Sequence, residues 1–405
     1  MNQFTMVVPT YWVRPESSAQ TEPQSDTEIV FDHPTPLNTD GTLPRLLDSL
    51  DVLDQTPDLI VIIPVHNRRE IAVEVEAKVN QLVTPYRSRR SIQLFGHAAL
   101  SKVKQNLRSA GVSARSLEIL NLHNYAGVRN ICALAGILNS AQFTTFIDDD
   151  ELFIDPAFFN KLSNTIGTCQ ASDSSSGVGG HKRTALAGYY LQPDTYRLDE
   201  SNVPAWRAEH WNTAAAMNRA FDLTIARDPL IKPTPFVFGG NMTLARDVLI
   251  RTPFDPRITR GEDIDFLLNL RIHGTVFYLH RDLPIKHLPP SSPQQEWKKF
   301  REDALRFLYE RKKISDHNLP LHELQPYPGT FLGPDLDRRI IRTAETLKRH
   351  YQDMYDRDGI ARCDEIISLA ERNPFAAFNT RTWLIDLSAR WREITSAALG
   401  LRIPL

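Results

Sequence analysis

The sequence predicts an α/β protein: a mostly parallel sheet with helices on both faces, followed by a C-terminal helical region. Three observations predict it. Residues 58–67 are a nearly continuous β-branched run, the pattern of a strand buried on both faces, and residues 4–12 read as a further short strand. Strand-like runs alternate with helically spaced segments as far as residue 147. From residue 294 the pattern turns charged and helical.

In chain order, residues 4–12 read as a strand ending in Pro9-Thr10-Tyr11. Residues 13–43 are rich in Pro, Ser, Thr and Asp and read as a loop. Residues 43–50 have helical spacing, 58–67 form the second strand, and 68–83 a helix. Residues 91–95 and 117–122 are the third and fourth candidate strands. A helix over 128–140 precedes a strand over 143–147, which runs straight into Asp148-Asp149-Asp150-Glu151. Residues 171–183 are a small, polar, Gly-rich break, read as a surface loop or a mobile lid. Residues 236–244 read as a strand or turn, 264–273 as a helix, and 275–279 as a strand. Helical stretches recur over 335–356 and from 363 to the end.

The chain has 405 residues, which at ~150 per domain allows two or three domains or one large domain with an appendage. The reading is a catalytic domain over 1–293, with halves 1–151 and 152–293, and a helical region over 294–405. A hydrophobic share of 41% supports a real core and excludes a disordered chain. With 47 basic and 49 acidic residues, the whole protein is drawn neither to nucleic acid nor to an anionic membrane. Any polyanionic ligand must be met locally, by a metal ion or a few Arg. Three cysteines without a CxxC spacing make neither a disulfide framework nor a zinc site, and a cytoplasmic setting is the default. No apolar run approaches the ~20 residues a membrane span needs, and no cationic segment opens a secretory signal.

In folds of this class, ligands sit at the carboxyl ends of the strands. Crowded carboxylates at Asp148, Asp149 and Asp150 repel one another unless a cation compensates. Oxygen ligands suit Mg²⁺ or Mn²⁺, which can clamp a diphosphate. In isolation such a triplet would read as a solvated turn. In Tyr125-Ala126-Gly127-Val128-Arg129-Asn130, Gly127 eases a turn, and Arg129 falls near a helix start, where it could meet a phosphate. Gly239-Gly240-Asn241 would let backbone approach a ligand, or would simply be a tight turn. In Gly261-Glu262-Asp263, carboxylates open a helix; they can cap it, or present a general base to an acceptor hydroxyl. His287, in a Pro-rich stretch, is a candidate further metal ligand.

These motifs, in this order, resemble nucleotide-sugar glycosyltransferases of the GT-A fold, the family 2 type above all, over roughly residues 4–290. The resemblance implies a nucleoside-diphosphate sugar donor, Mn²⁺ or Mg²⁺, and a hydroxyl-bearing acceptor. Carried over, Asp148 and Asp150 are the outer residues of an Asp-x-Asp motif that with His287 would hold the metal, Asp148 also facing the donor. Asp263, beside Glu262, would be the catalytic base of an inverting enzyme. Pro9, Thr10 and Tyr11 would flank the nucleobase, with Arg129, Gly240 and Asn241 also near the donor. Trp206 and Trp211 are acceptor candidates by sugar stacking, or else ordinary packing. The second strand departs from the family by ending in Pro64-Val65-His66-Asn67, and residues 62–67 offer an alternative first strand. No Gln-x-x-Arg-Trp motif is present, which argues against processive polysaccharide synthesis.

Three rivals stay open. One is a retaining transferase of the kind that makes glucosyl- or mannosylglycerate. A second is a sugar nucleotidyltransferase, although its Gly-rich loop is not seen after Trp12. A third is a binding module on a dead fold. The terminal helices could mediate homo-oligomerisation, cover the acceptor or dock on a membrane. The stripe Trp383, Leu384, Leu387, Trp391 would more commonly pack into a core.

Overall fold

The computed structural model describes residues 3–14, 31, 33–168, 182–290 and 295–400. Ten strands make one sheet: β1 (Phe4–Val13), β2 (Thr35–Pro36), β3 (Leu59–His66), β4 (Ile92–Leu94), β5 (Phe143–Phe146), β6 (Glu151–Leu152), β7 (Ala185–Leu191), β8 (Ile231–Pro233), β9 (Met242–Ala245) and β10 (Tyr278–His287). The order is β4-β3-β1-β5-β9-β7-β10-β6, with β2 beside β1 and β8 beside β10. Strands β4, β3, β1 and β5 are parallel, as are β7 and β10, while β9, β6 and β8 run against their neighbours. β3 is buried along its whole length and β1 in all but its last residue, as the unbroken apolar runs require.

The strand order reverses at β1, whose partners are β3 on one side and β5 on the other. The crevice beyond such a reversal is where open α/β sheets bind ligands. β5 pairs with residues 4–7 of β1, and the Ile147 amide reaches the Val7 carbonyl at 3.1 Å. The acidic triplet therefore emerges beside Pro9, Thr10 and Tyr11.

The helices are α1 (Leu43–Ser49), α2 (Ala72–Val83), α3 (His97–Ser109), α4 (Ala114–Leu117), α5 (Tyr125–Leu138), α6 (Phe158–Thr165), α7 (Ala205–Ala208), α8 (Thr213–Thr224), α9 (Arg246–Arg251), α10 (Glu262–Ile272), α11 (Glu296–His317), α12 (Leu336–Asp353), α13 (Arg357–Arg372) and α14 (Thr380–Gly400). The helical region after residue 294 is present, and it is packed deep into the rest of the chain. On α11 the fully buried Lys313 ammonium bonds Asp265 at 2.5 Å, Asn269 at 2.9 Å and Asp255 at 3.2 Å. On α14, Leu384, Leu387 and Trp391 are buried, the Trp391 indole donates to the Leu249 carbonyl, and that of Trp383 donates to Asp255. The apolar stripe of α14 is thus spent within the chain.

Four expectations need correcting. Residues 117–122 form no strand: Ser113 caps α4 by accepting from the Ser116 amide, and tight turns at Ile119 and Leu120 bury the apolar side chains. α5 begins at Tyr125, capped by Asn124, so Gly127 lies inside the helix rather than in a turn before it. The last long strand is β10, which carries on through Pro284 to His287, beyond the expected 275–279. β7, which residues 185–191 form, was not anticipated; its apolar run was too short to stand out. The Gly-rich break over 171–183 falls almost wholly outside the described residues, as does Cys169. Among the described residues, no helix is long and apolar enough to cross a membrane.

Candidate active site

A cleft of about 420 Å³ opens at the carboxyl ends of β1, β5 and β10. Its walls include Tyr11, Arg129, Asp148, Asp149, Asp150, Trp206, Trp211, Glu262, Asp263 and His287. Residues scattered from 11 to 287 in the chain thus share one cavity, of a size that suits a small ligand.

Each carboxylate in it has a different partner. Asp148 accepts both forks of Arg129, at 2.8 and 3.1 Å, and the same guanidinium donates through Nε to Glu262 at 3.0 Å. Arg129 is buried, so it ties the end of β5 to the start of α10 with its charge spent. Asp149 accepts from the Thr10 hydroxyl at 2.5 Å. Burial, then Asp150, pushes its carboxyl up to about 8. Asp150 Oδ2 lies 3.4 Å from His287 Nε2. Burial works against its charge, but the imidazoles of His287 and His33 outweigh it and hold the carboxyl below its usual range. The His287 ring stacks on Tyr190 at 4.6 Å, and its other nitrogen meets the Gln192 amide at 3.2 Å. The ring is therefore fixed in place from the far side.

The Gly-Glu-Asp turn is shaped by its neighbours. Gly261 has φ 73°, and a Cβ there would run into the Arg306 guanidinium. Glu262 turns to Arg129, and burial pushes its carboxyl up to about 7. Asp263 faces the cleft, where its two oxygens accept from the Gly239 amide at 3.0 Å and the Ile264 amide at 2.8 Å. Burial nevertheless raises its pKa. A positioned carboxylate of raised basicity is what a general base needs.

Not every expected residue reaches the cavity. Of Pro9, Thr10 and Tyr11, only Tyr11 lines it, packed against Phe31 and Tyr125. The paired glycines make room for the protein itself rather than for a ligand. A Cβ at Gly239 would meet Arg129, and one at Gly240 would meet Glu151. Asn241 is buried and clamps β7 to β10, donating to the carbonyls of Tyr189 at 3.1 Å and Leu283 at 3.0 Å. Trp211 packs among Phe300, Phe307 and Phe331, while Trp206 lies against Phe300.

Several lining residues went unread in the sequence: His33, Arg207, Arg260, Lys299, Asp303 and Arg306. The last three lie on α11, whose charged pattern looks like a solvated face. No local signal shows that this helix turns a charged face inward.

Among the described residues, no three His, Cys, Asp or Glu groups converge as a self-sufficient metal cage. A divalent cation needs less than that where a diphosphate and water complete its shell. Asp150 with His287 fits such a role: one carboxylate and one neutral-capable imidazole, already converging. Asp148, the other expected ligand, accepts one hydrogen bond from Arg129 at each of its oxygens and keeps a quarter of its side chain exposed.

No protein-family model matches the chain, and no curated protein matches it. Among solved structures it is similar to a mannosyltransferase from Pyrobaculum calidifontis in complex with GDP-Man and Mn²⁺. There the TM-score is 0.45 and the identity 13%, over 98% of this chain and 87% of that one. It is also similar to a mycobacterial protein, with TM-score 0.40 and 12% identity over 79% of this chain and 76% of that one. Apo mouse xyloside xylosyltransferase 1 gives 0.28 and 12%, over 66% and 74%. Likeness at this level assigns no activity to the chain.

Proposed function

We propose that the protein is a glycosyltransferase that moves a sugar from a nucleoside-diphosphate sugar to an acceptor hydroxyl, with inversion. The observation that carries this reading is the meeting, in one cleft at the sheet's reversal point, of Asp150 with His287 and of a pinned Asp263. Asp150 and His287 would hold Mn²⁺ or Mg²⁺, which when bound neutralises the charge of a departing diphosphate. Tyr11 and Tyr125 offer aromatic faces for the nucleobase at the end of β1. Asp263 takes the proton from the acceptor hydroxyl, whose oxygen then bonds the anomeric carbon as the bond to the diphosphate breaks. Glu262 and Arg129 set the position of the turn that carries Asp263, and Glu262 itself stays on Arg129.

The test is a product analysis on the full chain with Mn²⁺ and a panel of nucleoside-diphosphate sugars. Release of nucleoside diphosphate is expected. Asp263→Asn should lower turnover by ~10²–10⁴ with nucleotide affinity unchanged. Release of pyrophosphate would favour a nucleotidyltransferase, and wild-type turnover in Asp263→Asn would remove the base from Asp263.

A further inference from the structure

Among the described residues, one wall of the cleft holds more cations than carboxylates. It is built by α7, α11 and Arg260, and holds Arg207, Arg260, Lys299 and Arg306 against Glu296 and Asp303. Asp303 is committed to Arg260 at 2.6 Å and stands 3.7 Å from Arg306. Arg306 is only 7% exposed, and its hydrogen bond at 3.2 Å goes to the neutral Tyr327 hydroxyl. Its buried Nε meets no acceptor among the described residues. Arg207 donates to the Trp211 carbonyl and the Thr213 hydroxyl, again neutral groups. The half-buried Lys299 has no ion pair among the described residues. Glu310 lies near Arg306 and acts on it electrostatically, while burial pushes its own carboxyl up to about 8. A buried cation with few counter-charges is costly, and a cleft that gathers the buried Arg306 with the half-buried Arg207 and Lys299 is suited to receive an anion.

The position of this wall says which substrate brings the anion. Arg306 passes beneath Gly261 and acts electrostatically on Asp263, the proposed base. The cationic wall therefore lies against the turn that carries Asp263. We propose that the acceptor carries a carboxylate or phosphate group, held by Arg207, Lys299 and Arg306 while its hydroxyl faces Asp263. This rests on the transferase reading above.

The test is calorimetric titration of the full chain with D-glucose, D-glucuronate and D-glucose 6-phosphate, which differ in their anionic group. At least one charged sugar should bind ten-fold or more tightly than glucose, and the preferred one distinguishes carboxylate from phosphate. Arg207→Gln and Lys299→Gln should each erase most of that preference and leave Mn²⁺-dependent nucleoside-diphosphate binding unchanged. Arg207→Lys should retain part of it. Equal binding of all three sugars, or an undiminished preference in both Gln variants, overturns the proposal. Parallel loss of nucleoside-diphosphate binding in these variants would give the cations to the donor and also overturn it. Charged-sugar binding without any nucleotide binding would instead overturn the transferase reading and leave the anion site standing.

Discussion

Arg129 carries two carboxylates at once, and the geometry of the base depends on it. Asp148 keeps a quarter of its side chain in water, but Glu262 is 7% exposed and Arg129 3%. Removing the guanidinium would strand Glu262 without a counter-charge, and breaking a buried pair in this way costs ~3–5 kcal/mol. Arg129→Met is expected to destabilise the protein by that amount in urea unfolding. Glu262→Gln added to it should restore part of the loss, since the stranded group is then neutral. A single variant within about 1 kcal/mol of wild type would mean that the fork contributes little. The residue types of this fork were legible in the sequence, but their pairing was not. An Arg at a helix start reads as a phosphate ligand as readily as the partner of two acids that lie far away in the chain.

At the scale of elements, α11 gives the cleft its cationic wall and gives the core Glu310. That carboxyl is fully buried, and neither oxygen has a partner among the described residues. Its pKa rises from 4.5 to about 8, burial being the largest cause, so the folded state binds a proton more tightly than the unfolded one. Its contribution to stability is full below the unfolded value and is lost as pH rises toward the folded one. Wild type should therefore lose stability between about pH 5 and 8, with Glu262 and Asp265 adding to the fall, since their carboxyls are also raised, to about 7 and about 6. Glu310→Gln is expected to fall less steeply when urea unfolding is compared at the two ends of that range. An unchanged pH dependence would show that Glu310 does not keep its proton. Strands β1, β3 and β5 and most helices could be read from periodicity, because burial on both faces leaves an unbroken apolar run. β7 and the end of β10 could not. Tyr189, Tyr190, Pro284 and Lys286 interrupt their patterns, and Asn241 holds the two strands together across a break in register.

Across the whole molecule, the order β4-β3-β1-β5 makes the sheet reverse where Tyr11 and the acidic triplet emerge, and β10 returns to set His287 beside Asp150. The motifs predicted this meeting place because strand ends in such sheets share one edge. They left open whether the helical region would cover the cleft, pair with another copy or dock on a membrane, since long-range packing of α11 has no local signature. The central claim is that Asp150 and His287 hold a divalent cation against a nucleoside diphosphate. Thermal unfolding with UDP, GDP, ADP, TDP or CMP, each with and without Mn²⁺, tests it most directly. At a hundred times its dissociation constant a true ligand adds ~2.7 kcal/mol. The account predicts a rise in Tm with one diphosphate, dependent on Mn²⁺ and lost in Asp150→Ala. No rise with any of them, or a rise indifferent to Mn²⁺ and to Asp150, would contradict it.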